Sequence, residues 1–112
     1  MKNETLEITE ERNGKTSIFI AKGRVDAESA DELLFELENA LKDGQTAIIL
    51  NMLQVEYLSS IGIRVILKIY KQATGTGCTF NIDRPSTAVR NVLGMVALEK
   101  MLVTAAPQRD LS

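Results

Sequence analysis

Residues 57–67 read YLSSIGIRVIL, and how this stretch is read decides the fold. Two adjacent serines stand directly before a run of apolar, helix-compatible residues. From Ser60 onward, Ile63, Ile66, Leu67 and Tyr70 fall on one stripe at helical spacing, and Ile61, Val65 and Ile69 widen it. The spacing predicts an unusually apolar helix from Ser60 to about Thr74, with Gly75-Thr76-Gly77 as the turn after it. Upstream, 46-TAIILNML-53 is a short continuous apolar run, which reads as a strand buried on both faces. A buried strand running straight into an apolar helix is the centre of an open α/β sheet.

The flanks fit this centre. Residues 4–12, ETLEITEER, alternate apolar and polar side chains as a half-buried strand does. Asn13-Gly14 follows and marks a tight hairpin, because both residue types tolerate positive φ. Residues 16–22, TSIFIAK, are the returning strand, and their run Ile18-Phe19-Ile20-Ala21 suggests a central position. In the stretch 23–44, Ala30, Leu33, Leu34, Leu37, Ala40 and Leu41 share one helical face. Ser29 with Glu32 fits a capping box, Asp26 is an alternative start, and Gly44 ends the helix.

Downstream, 78-CTFNI-82 alternates with Cys78, Phe80 and Ile82 facing one way. Pro85-Ser86 opens a helix carrying Val89, Val92, Leu93 and Val96. A short helical turn at Ala97–Met101 and an edge strand at Leu102–Thr104 complete the pattern, and the tail from Pro107 is polar. The expected architecture is a mixed four- to five-stranded sheet, an N-terminal β-hairpin followed by βαβαβ crossovers, packed with helices. The 112 residues read as one domain over 1–112, with its core at about 4–104.

Composition narrows the function. Hydrophobic residues make up 45% and charged residues 25%, the profile of an ordinary globular domain. A net charge of −2 provides no general attraction to nucleic acid or to an anionic membrane. No stretch approaches the roughly 20 apolar residues of a membrane span, and the N-terminus has no apolar signal core. The single cysteine, Cys78, forms no internal disulfide and suits a reducing cytosol. The chain has no histidine, the commonest general base and transition-metal ligand. These features speak against an enzyme and against a metal or other cofactor.

The candidate site residues each have a plain structural reading. Ser59 and Ser60 are interchangeable N-caps by spacing alone, and that reading comes first. The free N–H groups and positive dipole end of a helix start would also accommodate a phosphate on either serine. Arg64, one turn later, is within reach of such a phosphate. A nucleophilic role needs a base that is not visible. Asp26 stands at a strand end, where open sheets present functional groups, but it suits a cap or turn equally. Cys78 reads as core, Met95 and Met101 as packing residues, and Arg84, Arg90 and Lys100 as surface charges.

Four stretches together resemble the STAS domain, and within it the small single-domain anti-sigma factor antagonists of bacteria. They are 23-GRVDAES-29, 47-AIILNMLQVEYL-58, 59-SSIGIRVIL-67 and 85-PSTAVRNVLGMVALEKML-102, and the likeness runs from Leu6 to Thr104. The third looks like the family's Asp/Ser-Ser-x-Gly-Leu signature. The resemblance implies that an anti-sigma factor, itself a serine kinase of the histidine-kinase ATPase type, phosphorylates a serine at the start of the second helix. The unphosphorylated antagonist binds that kinase and releases a sigma factor, and a serine phosphatase resets it.

By position the acceptor is Ser60, with Asp26, Ser59, Ile61, Gly62 and Arg64 in the switch loop or partner surface. ATP belongs to the kinase, so no cofactor is expected here. The implied protein is cytoplasmic and a monomer or weak dimer, with no direct nucleic-acid contact. Three departures stand out. Ser59 replaces the usual aspartate, Ile61 is bulkier than the usual small residue, and Gly94 to Leu98 lacks the family's Thr-Gly or Ser-Gly. The alternative is a constitutive STAS scaffold or accessory subunit of a stress-signalling assembly or lipid transporter, with Ser60 acting only as a cap.

Overall fold

A computed structural model describes residues 5–95. Strand β1 spans Leu6–Asn13, β2 Thr16–Val25, β3 Ala47–Leu58 and β4 Thr79–Asp83. Helix α1 spans Ala30–Lys42, α2 Ser60–Thr76 and α3 Thr87–Met95. Among the described residues the sheet has four strands in the order β1-β2-β3-β4. The first pair is antiparallel and the other two are parallel, so the sheet is mixed and α/β, as expected. The helical turn at Ala97–Met101, the strand at Leu102–Thr104, Val96, Met101 and the tail lie outside the described residues.

The hairpin turns one residue later than its sequence suggests. Asn13 still pairs with Thr16, so the loop is Gly14-Lys15 rather than Asn13-Gly14. Gly14 alone takes positive φ, at 64°, and Asn13 stays in the ladder. One glycine at the first loop position is enough to match the right-handed strand twist.

Strand β2 runs past Lys22 to Val25, and Gly23 is what allows it. Its φ is 119°, and a Cβ there would fall on the Thr5 carbonyl oxygen. That same oxygen accepts the Arg24 N–H at 2.8 Å. Phe19 and Ala21 are fully buried, while Ile18 and Ile20 are only half-buried.

Strand β3 also outruns its expected end at residue 53. It takes 12 residues to accompany the 10 of β2, with register shifts between Ile20 and Lys22 and between Gly23 and Arg24. Two extra residues are thus bulged into β3. Inward positions change from every second residue (Ile48, Leu50, Met52) to every third (Val55, Leu58). Leu53, expected to be buried, is turned out and is 53% exposed. The Asn51 side-chain oxygen accepts the Leu53 N–H at 3.0 Å and holds the first bulge.

Helix α1 buries Ala30, Leu33, Leu37 and Ala40, with Leu34 and Leu41 partly buried, as its spacing predicts. Gly44 follows it at φ 84°. The capping box does not form. The Ser29 hydroxyl donates back to the Arg24 carbonyl at 2.7 Å and accepts the Asp26 N–H at 3.0 Å. Glu32 Oε1 has no hydrogen-bond partner among the described residues. Asp26 caps this end instead, its Oδ1 accepting the N–H of Glu28 at 3.0 Å and of Ser29 at 3.2 Å.

Helix α2 runs to Thr76, two residues beyond its expected end, and stops on Gly77 at φ 81°. Its buried stripe is Gly62, Val65, Ile66, Ile69 and Ala73. This is rotated from the sequence expectation, and Ile61 turns out to solvent at 40% exposure. Cys78, Phe80 and Ile82 are buried as expected, and burial pushes the Cys78 thiol pKa up.

In α3, Val89 and Leu93 are buried. Met95, expected to pack, lies on the opposite face and is 79% exposed. The Ser86 hydroxyl accepts the Val89 N–H at 3.1 Å and donates to the Val55 carbonyl. That second bond ties the start of α3 to the bulged half of β3.

Candidate functional site

The parallel strands β2, β3 and β4 all end on the same side of the sheet, where open α/β sheets carry their working groups. The edge is closed by backbone contacts. Val25 pairs with Leu58, and the Ser59 N–H then donates to the Val25 carbonyl at 2.9 Å. The ladder therefore continues one step past β3 to the residue before α2. Asp26 and Ser60 each follow within two residues of the Val25–Leu58 pair.

The two serines have separate structural jobs. Ser59 is extended (φ −84°, ψ 172°), and its hydroxyl accepts the Gly62 N–H at 3.1 Å. Its carbonyl accepts the Ile63 N–H at 3.0 Å and so starts the helix. Ser59 is the N-cap. Ser60 is the first helical residue and is exposed, and its hydroxyl makes no hydrogen bond among the described residues. A hydroxyl that is neither buried nor used in capping is free to be modified.

Gly62 fixes how closely α2 sits on the strand ends. A Cβ there would stand 2.6 Å from Leu58 Cδ1 and 2.7 Å from Val25 Cγ1. Both neighbours are buried, so neither has room to retreat. The glycine lets the first turn lie directly on the paired ends of β2 and β3, with Ser60 one residue beyond the bond from Ser59 to Val25.

Asp26 is held as an anion. Partial desolvation works to raise its pKa. Hydrogen bonds from the Ser29 and Glu28 N–H groups and the Ser29 hydroxyl outweigh this, with help from the Arg24 charge, and the carboxyl lies below its usual value. Arg24 Nε is 3.8 Å from Asp26 Oδ2, and its guanidinium lies 4.3 Å from the centre of the Tyr57 ring. Tyr57 is 41% exposed.

Of the sequence candidates, Asp26, Ser59, Ser60 and Gly62 come together at this edge. Ile61 is exposed at its rim, and Arg64 lies exposed one turn along α2. Sequence reasoning missed the stacked Arg24–Tyr57 pair. Its signal was the spacing of Met52, Val55 and Leu58 in threes, which turns Tyr57 outward. Arg84, read as a surface charge, is exposed, and it takes φ 49° beside the buried Asp83. A cleft of about 660 Å³ lies between the far ends of α1 and α2, lined by Glu38, Leu41, Lys42, Gln72, Gly75 and Thr76. Gln72 is about 18 Å along α2 from Ser60 at 1.5 Å per residue, so this cleft is not part of the edge.

A family model for the STAS domain matches residues 7–110. The chain belongs to the STAS domain family. Solved structures agree in fold. The unphosphorylated form of the anti-sigma factor antagonist SpoIIAA superposes with a TM-score of 0.77 at 19% identity, over 93% of this chain and 94% of that one. The phosphorylated form of the Bacillus cell fate determinant SpoIIAA gives 0.71 at 18% identity, over 93% and 97%. An anti-sigma factor antagonist from Mycobacterium paratuberculosis gives 0.77 at 18%, over 87% and 82%. At these identities the likeness is one of fold. No match was found among curated proteins. No helix among the described residues is long and apolar enough to cross a membrane.

Proposed function

We propose that this STAS domain is an anti-sigma factor antagonist whose binding to its partner is switched off by phosphorylation of Ser60. The observation that carries the reading is the free, exposed hydroxyl of Ser60 at the sheet edge, next to a serine that already caps the helix. Similarity in fold to antagonists, one of them solved in both phosphorylation states, supports it. The partner is an anti-sigma factor that is also a serine kinase. It transfers the γ-phosphoryl group of ATP to the Ser60 oxygen; the bond to the β-phosphate breaks, and the hydroxyl proton leaves to a base of the kinase. A serine phosphatase restores the hydroxyl. The chain itself is cytoplasmic, catalyses nothing and holds no cofactor.

The physics of the switch is local. The partner surface comprises Asp26, Ser59, Ile61 and Arg64 around Ser60; Gly62, expected in it, is buried on the inner side of α2 and only sets how closely that surface sits on the sheet. Docking excludes water from this edge. A phosphate there adds a charge of about −1.5 to −2 that must be desolvated, on an edge that already carries the Asp26 carboxylate. Each 1.4 kcal/mol so lost weakens binding about tenfold.

An affinity pull-down of the kinase partner with wild type, Ser60→Ala and Ser60→Asp tests this. Wild type and Ser60→Ala retain the partner, and Ser60→Asp releases it. Equal capture by all three would instead indicate a constitutive accessory subunit.

A further inference from the structure

Helix α2 has an unusual charge distribution. Its 17 residues, SIGIRVILKIYKQATGT, include Arg64, Lys68 and Lys71 but no aspartate or glutamate. All three cations are exposed, and none forms an ion pair among the described residues. Arg64 stands four residues after Ser60. On a helix, side chains at that spacing are neighbours, about 6 Å apart at Cβ, and an acidic group preceding a basic one is the favourable order.

Other charged groups near Ser60 are already engaged. Asp26 accepts two backbone N–H groups through Oδ1 and faces Arg24 through Oδ2. Arg24 is stacked on Tyr57. Lys68 is a further turn away along the same face. Arg64 is thus a cation one helical turn from the acceptor serine, with nothing on its own helix to neutralise it.

We propose that Arg64 is the intramolecular counter-ion of phosphorylated Ser60. This rests on Ser60 being the modified residue and states what receives the phosphate afterwards. Guanidinium suits the task, since its planar fork matches two phosphate oxygens at once. The phosphate is then pinned along the outer face of α2, and the first turn is tightened rather than melted. The cationic face loses the charge nearest the sheet edge at the same moment. Arg64, available to a partner in the unphosphorylated state, is withdrawn by the modification itself.

The test installs phosphoserine at position 60 during translation, so it does not depend on a kinase. The phosphate of full-length wild type, Arg64→Gln and Arg64→Lys is then titrated by phosphorus NMR. A nearby cation favours the dianion and lowers the second pKa from its ordinary value of about 6. Asp26, Arg24 and Lys68 act alike in all three proteins, so the differences isolate position 64.

Arg64→Gln is expected to raise the phosphate pKa by a few tenths of a unit relative to wild type, and Arg64→Lys to restore most of the drop. The difference should shrink in about 1 M salt, where the screening length falls to about 3 Å. Superimposable titrations of wild type and Arg64→Gln would overturn the proposal. That result would say nothing against modification of Ser60, which kinase labelling of the unmodified chain tests separately.

Discussion

The Ser59 hydroxyl oxygen and the Gly62 N–H are 3.1 Å apart, and this bond starts α2. Ser60, between them, contributes no side-chain bond among the described residues. The division of labour has a direct consequence for stability. Ser59→Ala should cost about 1 kcal/mol, the usual loss for an N-cap. Ser59→Asp should cost less, because a carboxylate caps equally well. Ser60→Ala should stay within about 0.5 kcal/mol of wild type, as exposed substitutions generally do. Urea unfolding of the three variants measures this. A larger loss at Ser60 than at Ser59 would reverse the assignment.

Gly62→Ala tests the close approach of α2 to the sheet. The new methyl group meets Leu58 and Val25 in a packed core. Overpacking of this kind costs about 1–3 kcal/mol, and here it also lifts the first turn that carries Ser60. The expected result is lower stability together with weaker partner binding. Denaturant melts and a binding titration read the two effects separately.

Asp26 gives the edge a pH dependence of known sign. Its folded pKa is depressed, so its contribution to stability is fully present above the unfolded value of about 3.9. That contribution is lost as pH falls through the lower folded value. Asp26→Asn removes the titration. Wild type should therefore lose part of its advantage over Asp26→Asn on going from neutral pH to about pH 3. Paired urea melts at the two pH values measure the difference, and a constant gap between the variants would contradict it.

The inward faces of α1 and α3 were legible from the amino acids because a period of 3.6 survives in them, and Leu33, Leu37 and Val89 all turn inward as read, whereas the face of α2 is rotated from its reading. The end of β3 was not legible. Two bulges break the alternation, so Leu53 looked like core and proved exposed. The serines were interchangeable for the same reason, since which one caps depends on where the bulged strand finally ends. Gly62 was legible as part of a family motif but not as the inward face of α2, because a glycine adds nothing to a hydrophobic stripe. Ile61 beside it took that place in the pattern and lies outside. Arg64 stood out only as a cation one turn from a serine. That it has no carboxylate on its own helix becomes meaningful once α2 is seen to run unbroken to Thr76.

The most direct test of the switch is to place phosphate on the chain and locate it. The protein and its Ser59→Ala and Ser60→Ala variants are incubated with the cognate serine kinase and ATP, and the modified residue is mapped by mass spectrometry. The expected result is one phosphate on Ser60 in wild type and Ser59→Ala, and none in Ser60→Ala. Phosphate on Ser59, or undiminished labelling of Ser60→Ala, would contradict the account.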